Sequence, residues 1–296
     1  MSYYGPIIAL SCALTWSIAI VMLKSLEKDL HPVFLNLFKN VLGLLCFVFT
    51  YFFVQNSEFV ETDLKHAFIL MFSGFIGIGL ADAMILRALK LIGASRLAIL
   101  ECAYSPSVII LSIIFFAESL GPPQIIGTLF VIAAILIVSI QKKGEKLEHS
   151  RAIIWGSVFA VVGIIMMAAG ILMVKAHFES YPLLWIIILR LIGGVFGSIA
   201  LVMFTPNFKK NAQHLLKKMK NPILWLGSFF ATFISMYLWI AGYKYQSASI
   251  TAVLNQMATI FTVILAALFL GEKINAKKII ATTIAVLGVI IIVLFE

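Results

Sequence analysis

Residues 88–107, ALKLIGASRLAILECAYSPS, decide the fold, because the chain carries a second version of them at 242–261, GYKYQSASITAVLNQMATIF. Setting Lys90 over Lys244 lays residues 88–128 on residues 242–282 without a gap. Ala94/Ala248, Ser95/Ser249, Ala98/Ala252, Leu100/Leu254 and Glu118/Glu272 then coincide. Aliphatic matches are cheap in so apolar a sequence; the lysine, serine and glutamate matches are not. A slightly shorter offset extends the likeness upstream, pairing Gly5/Gly156, Met22/Met173, Lys24/Lys175, Lys39/Arg190 and Gly43/Gly194. The chain therefore reads as one module used twice, 1–146 and 147–296.

Composition says where the module resides. Of 296 residues, 62% are hydrophobic and only 12% charged, with a mean hydropathy of +1.09, which excludes an ordinary soluble domain. Apolar runs of about 18–25 residues recur from end to end, each able to cross ~30 Å of hydrocarbon. The expected fold is an all-α integral membrane protein with ten transmembrane helices. They fall near 4–23, 32–54, 66–87, 94–116, 123–141, 152–174, 182–204, 222–243, 248–270 and 277–295. Breaks at His31-Pro32, Gly121-Pro122-Pro123, Tyr181-Pro182 and Asn221-Pro222 put prolines at helix starts, where a missing N–H costs least. The first run has no basic stretch before it, so it is expected to stay as a span rather than be cleaved. Cys12, Cys46 and Cys102 all lie inside apolar runs, so neither a disulfide framework nor a metal site is expected.

The net charge of +9 does not point to nucleic acid, since the basic residues are dispersed over short joins. Lys24, Lys28, Lys90, Arg96, Lys142, Lys143, Lys146, Arg151, Lys209, Lys210, Lys217, Lys218, Lys220, Lys273, Lys277 and Lys278 share one side; Lys65, Lys175 and Lys244 face the other. That bias predicts an inner-membrane protein with the first set cytoplasmic and both termini outside. Residues 207–220, with Phe208, Ala212, Leu215, Leu216 and Met219 on one face and lysines around the other, read as an amphipathic helix on the anionic inner leaflet. Five spans is an odd number, so the second module enters the membrane inverted. Two inverted five-helix halves form the geometry of alternating access around a midplane site.

The chain resembles the drug/metabolite transporter superfamily, in its ten-helix EamA-type branch. The likeness is carried by Ala88–Ser95, Pro106, Ala117-Glu118 and Gly127 in the first half, and by Gly242–Ser249 and Gly271-Glu272 in the second. Lys39 and Arg190 match a position where that family often has arginine, whereas Ile260 departs from a proline the family often repeats. The resemblance covers nearly the whole chain and implies a transporter of amino acids, metabolites, drugs or related small solutes.

Ionisable groups inside spans cost several kcal/mol to insert, so each is a functional candidate. Lys39, Asp82 and Glu101 lie about 10 Å in from the cytoplasmic side, and Arg190 about 12 Å in from the other. Glu101, whose repeat partner is the uncharged Asn255, is the candidate for proton coupling or for holding a substrate amine. Its structural alternative is permanent neutralisation of Lys39 or Arg87. Lys39 and Arg190 would hold a carboxylate or phosphate, or lock helices; Asp82 would pair with Lys39 or Arg87. Trp16, Tyr104, Tyr237 and Trp239 offer stacking faces, and Asn255, Gln256, Thr259 and Ser105 offer hydrogen bonds. Pro106 frees a carbonyl near Cys102, which suits a cavity wall. Glu118 and Glu272 read as caps on the helices that follow them. Met166-Met167 would pack softly, and Gly193, Gly194, Gly197 and Ser198 would allow close helix contact.

These features define a secondary active transporter of a small organic solute, with Glu101 as the possible coupling group. The alternative is a facilitative exchanger or uptake carrier for a phosphorylated or carboxylated metabolite bound by Lys39 and Arg190. No P-loop of the G-x-x-x-x-G-K-[ST] type occurs, and no cofactor is expected. An enzyme is disfavoured because His31, His66, His149, His177 and His214 are scattered. A purely structural module would leave buried charges on both halves unexplained.

Overall fold

The computed structural model describes residues 4–26, 30–54, 60–104, 106–108, 110–111, 121–139, 147–174, 177, 180–245, 254–255 and 257–294. All of its regular elements are helical: α1 (Tyr4–Ser25), α2 (Pro32–Val54), α3 (Leu64–Gly74), a π-helical turn (Phe75–Leu80), α4 (Ala81–Ile92) and α5 (Ala94–Glu101). They continue with α6 (Pro122–Ser139), α7 (Leu147–Leu172), α8 (Leu183–Met203), α9 (Phe208–Lys218), α10 (Pro222–Phe229), a second π turn (Phe230–Ile234), α11 (Ser235–Tyr245), α12 (Met257–Leu270) and α13 (Ala276–Leu294). Among the described residues six helical stretches are long and apolar enough to cross a membrane, and Ile125–Ile137 and Met257–Leu270 are shorter apolar helices.

The packing repeats when the halves are exchanged. α1 lies on α11 and α12, as α7 lies on α4 and α5; α6 lies on α13; α2 lies on α8. Both π turns fall in matching places, in the third apolar run of each half. A π turn leaves carbonyls unpaired along its helix, and α2 supplies the donors. Asn36 Nδ2 donates to Ile78 O (3.2 Å), Gly79 O (2.8 Å) and Ser198 Oγ (3.0 Å), and Asn40 Nδ2 donates to the same serine at 3.0 Å. The helices beside this network meet backbone to backbone. A Cβ on Gly74 would collide with the Arg190 carbonyl, one on Gly193 with the Met71 carbonyl, and one on Gly197 would come within 2.9 Å of Phe75 O.

The span expected over 94–116 is not one continuous helix. Cys102 N donates to Ile99 O and Ala103 N to Leu100 O, shorter-range bonds that close α5 before the chain turns helical again at Tyr104. Pro106 lacks the N–H that would have bonded the Cys102 carbonyl, which is the physical reason for the break.

Glu272 also departs from expectation. Its carboxylate accepts Ala94 N–H at 2.8 Å and Ser95 N–H at 3.3 Å, so it caps α5 of the other half rather than its own next helix. Lys278 Nζ, 3.1 Å away, completes the site. The start of α13 is served instead by Asn275, whose Oδ1 accepts Lys278 N–H at 2.9 Å. Gly93, at φ +83°, makes the approach possible: a side chain there would press against the Glu272 carboxylate. Glu118 and Ser105 lie outside the described residues.

Candidate functional site

The helical breaks open one cavity of ≈ 180 Å³ between the halves. Trp16 from α1, Lys39 from α2, Asp82 from α4, Glu101 and Tyr104 from the broken fourth run, Arg190 from α8, Trp239 from α11 and Asn255 just ahead of α12 all line it. Residues drawn from widely separated apolar runs thus converge, because each charged or amide group escapes lipid only by facing inward. Tyr237 does not join them: it is 41% exposed and lies outside the lining. It sits two residues from Trp239, and helical residues two apart face away from each other. Gln256 lies outside the described residues.

The four charges are held differently. Lys39 Nζ pairs with Asp82 Oδ2 at 2.5 Å and donates to Asn40 Oδ1 at 2.9 Å, with little of either side chain exposed. Glu101 accepts a hydrogen bond from Trp16 Nε1 at 3.4 Å. Arg87, an expected partner for Asp82 or Glu101, instead lies over the Phe159 ring, 5.1 Å from its centroid. Its place three helical positions before Lys90 turns it towards α7, away from the cavity.

Arg190 is the exception. Only 4% of it is exposed, yet Nε and Nη1 have no hydrogen-bond partner among the described residues. Asn255 shows the same feature in neutral form, with both Nδ2 and Oδ1 buried and unpaired. A buried guanidinium and an amide lacking partners are costly to the fold, so both are open to an incoming polar group. Tyr104 and Trp239, edge to face with centroids 6.2 Å apart, give the cavity an aromatic wall.

Several lining residues carry no sequence signal. Cys12, Gly77, Ile78, Ile187, Ser235 and Met236 also border the cavity, but as small or apolar side chains in apolar runs they look like packing. Cys12 Sγ donates to Ser235 O at 3.4 Å and Ser235 Oγ to Thr15 Oγ1 at 3.0 Å, joining α1 to the end of the second π turn. Thr259 was legible; its Oγ1 donates to Ala98 O at 3.1 Å and ties α12 to α5. Met167 also lines the cavity, and Met166 does not.

A two-repeat helical bundle in the membrane, with a charged cavity between its halves, is the architecture of a solute carrier. The chain belongs to the EamA-like transporter family, whose profile matches residues 3–140 and again 154–294. It is thus a multi-pass membrane transporter of the drug/metabolite type, with a small-molecule substrate and the lipid bilayer as its surroundings. A solved structure titled "Crystal structure of protein" is similar over 99% of this chain and 96% of its own, with a TM-score of 0.68. At 15% identity that likeness speaks for the fold. No curated protein matches.

Proposed function

We propose that this protein is a secondary active transporter of a small zwitterionic solute of the amino-acid class, working by alternating access. The observation that carries the reading is the Arg190 guanidinium, whose Nε and Nη1 have no hydrogen-bond partner among the described residues, in a cavity that also holds Glu101. A carboxylate would accept from the Arg190 guanidinium. An ammonium would take Glu101, beside the faces of Trp16 and Tyr104. Asn255 would supply one donor and one acceptor between them. The carrier of a phosphorylated or dicarboxylated metabolite is less well served, because Lys39 is already engaged by Asp82.

Ten spans in two inverted modules, 1–146 and 147–296, are part of this proposal, and the contacts support it. Lys24 Nζ donates to Leu89 O at 2.8 Å, and Glu272 reaches the start of α5. These bonds gather the joins after the first, third and ninth spans at one end. His66 Nδ1 lies 3.0 Å from Tyr181 Oη, gathering the joins after the second and sixth at the other. That is the division that the basic residues make, with the first end cytoplasmic and both termini outside the inner membrane. α9, none of whose residues is fully buried, would lie on the inner leaflet, with its lysines toward anionic headgroups and Leu216 toward the acyl chains.

Glu101 is the proposed coupling group, binding a proton in exchange for the substrate ammonium. In proteoliposomes, Glu101→Gln is expected to abolish proton-gradient-driven accumulation while exchange of preloaded solute continues. Loss of both, or of neither, would remove Glu101 from that role. A thermal-shift screen against amino acids, amines and carboxylates identifies the solute. Stabilisation by monoamines or dicarboxylates alone would refute the zwitterion reading.

A further inference from the structure

Away from the cavity, three side chains that the transport reading does not use come together at the opposite end from Glu272. His66 stands in the first turn of α3; His177 and Tyr181 lie in the join between α7 and α8. The two imidazoles meet nearly at right angles with centroids 5.0 Å apart, and the Tyr181 ring stacks along His177 at 6.3 Å. His177 is only 8% exposed, and its Nδ1 has no partner among the described residues. His66 Nδ1 is taken up by Tyr181 Oη at 3.0 Å.

We infer that this cluster binds a transition-metal ion of the Zn²⁺, Ni²⁺ or Cu²⁺ class, with His66 and His177 as its two protein ligands. Where His66 Nδ1 donates to the tyrosine oxygen, the lone pair stands on Nε2, free to coordinate; orientation of a ligating histidine through its second nitrogen is the usual arrangement. His177 presents Nδ1, a buried acceptor site that no described residue fills. The spacing fits. With a metal about 2.1 Å from a nitrogen of each ring and a tetrahedral angle between them, the ring centroids stand roughly 5 Å apart. Among the described residues two histidines converge, and an all-nitrogen pair of this kind favours such an ion over hard cations such as Mg²⁺ and Ca²⁺, which want oxygen ligands.

The scaffold is already rigid. α3 and α8 are locked by the glycine contacts around Gly74 and Gly193, and Trp185 Nε1 donates to Thr62 Oγ1 at 2.8 Å beside the cluster. Little ordering is left for the ion to impose.

The test is titration of the full chain in lipid nanodiscs with ZnCl₂, by calorimetry and by melting temperature. The expected result is one Zn²⁺ per chain and a raised melting temperature. His66→Ala and His177→Ala should each weaken binding at least tenfold and remove the thermal shift, while His149→Ala and His214→Ala leave both intact. Tyr181→Phe should weaken binding by a smaller factor, since it removes only the group that orients His66. Each variant's melting temperature without zinc establishes that it is folded. No zinc uptake by the wild-type chain, or equal uptake by the His66→Ala/His177→Ala double variant, overturns the inference. Equal stabilisation by MgCl₂ overturns it too.

Discussion

Lys39 and Arg190 occupy matching positions in the two repeats, are buried to the same extent, and border the same cavity, yet only one of them is satisfied. Lys39 has Asp82 and Asn40. Arg190 has no hydrogen-bond partner on Nε or Nη1 among the described residues, and Met236 stands where the counterpart of Asp82 would fall. Carboxylates show the same inequality: Glu101 in the first half faces Asn255 in the second. The two repeats thus hold two matching cations, one with a carboxylate beside it and one without; in the proposed transport reading the first is a strut and the second the receptor for solute.

The comparison is most exposed at Lys39. Removing one member of a buried ion pair strands the other, so Lys39→Met and Asp82→Asn should each cost ~3–5 kcal/mol of stability. Their combination should recover much of that loss. Detergent-stability melts of the singles and the double form the cycle that checks it. At Arg190 the opposite split is expected. Arg190→Met removes a buried guanidinium whose Nε and Nη1 make no hydrogen bond among the described residues, so the melting temperature should hold or rise. Solute affinity should nevertheless fall about a hundredfold, ~3 kcal/mol, read by calorimetry on the ligand from the thermal-shift screen. A large loss of stability with unchanged affinity would show that Arg190 is a strut after all.

Glu272 sharpens the contrast at smaller scale, as the second half's carboxylate serving a helix of the first. Glu272→Gln should cost about 1–2 kcal/mol. Its pH dependence has a definite sign. Burial alone would raise this carboxyl, but hydrogen bonds from Ser95 and Lys278, the Lys278 charge and the Ala94 N–H outweigh it and hold it below its ordinary 4.5. A depressed carboxylate contributes stability above the ordinary value and loses it as pH falls through the folded one. The acid limb of the stability profile should therefore flatten in Glu272→Gln. The smallest effect is reserved for Tyr237→Ala: within about 0.5 kcal/mol in stability and no change in transport, whereas Trp239→Ala should weaken solute binding about tenfold.

Much of this site was legible before any coordinates. Charged groups in lipid-length apolar runs have nowhere to point but inward, so Lys39, Asp82, Glu101 and Arg190 announced themselves, and Pro106 marked the break beside Glu101. What was hidden depended on orientation or on long range. Whether Asp82 meets Lys39 or Arg87 turns on which face of α4 each occupies. The Glu272 cap joins residues far apart in the chain, while cap spacings in sequence speak only for neighbours. The π turns have no sequence mark of their own; at the first of them Asn36 on α2 donates to the Ile78 and Gly79 carbonyls, a contact between residues far apart in the chain. Tyr237 stands off the cavity lining because, two helical residues from Trp239, it faces the other way.

The glycine seam between α3 and α8 has a mechanical corollary. Where main chains touch with no side chains between them, neither helix can slide or tilt without the other, so under the proposed alternating access this pair would travel as a single rigid plank made from both repeats. The boundary between moving parts would then not follow the boundary between the repeats, and Arg190 would ride on the plank.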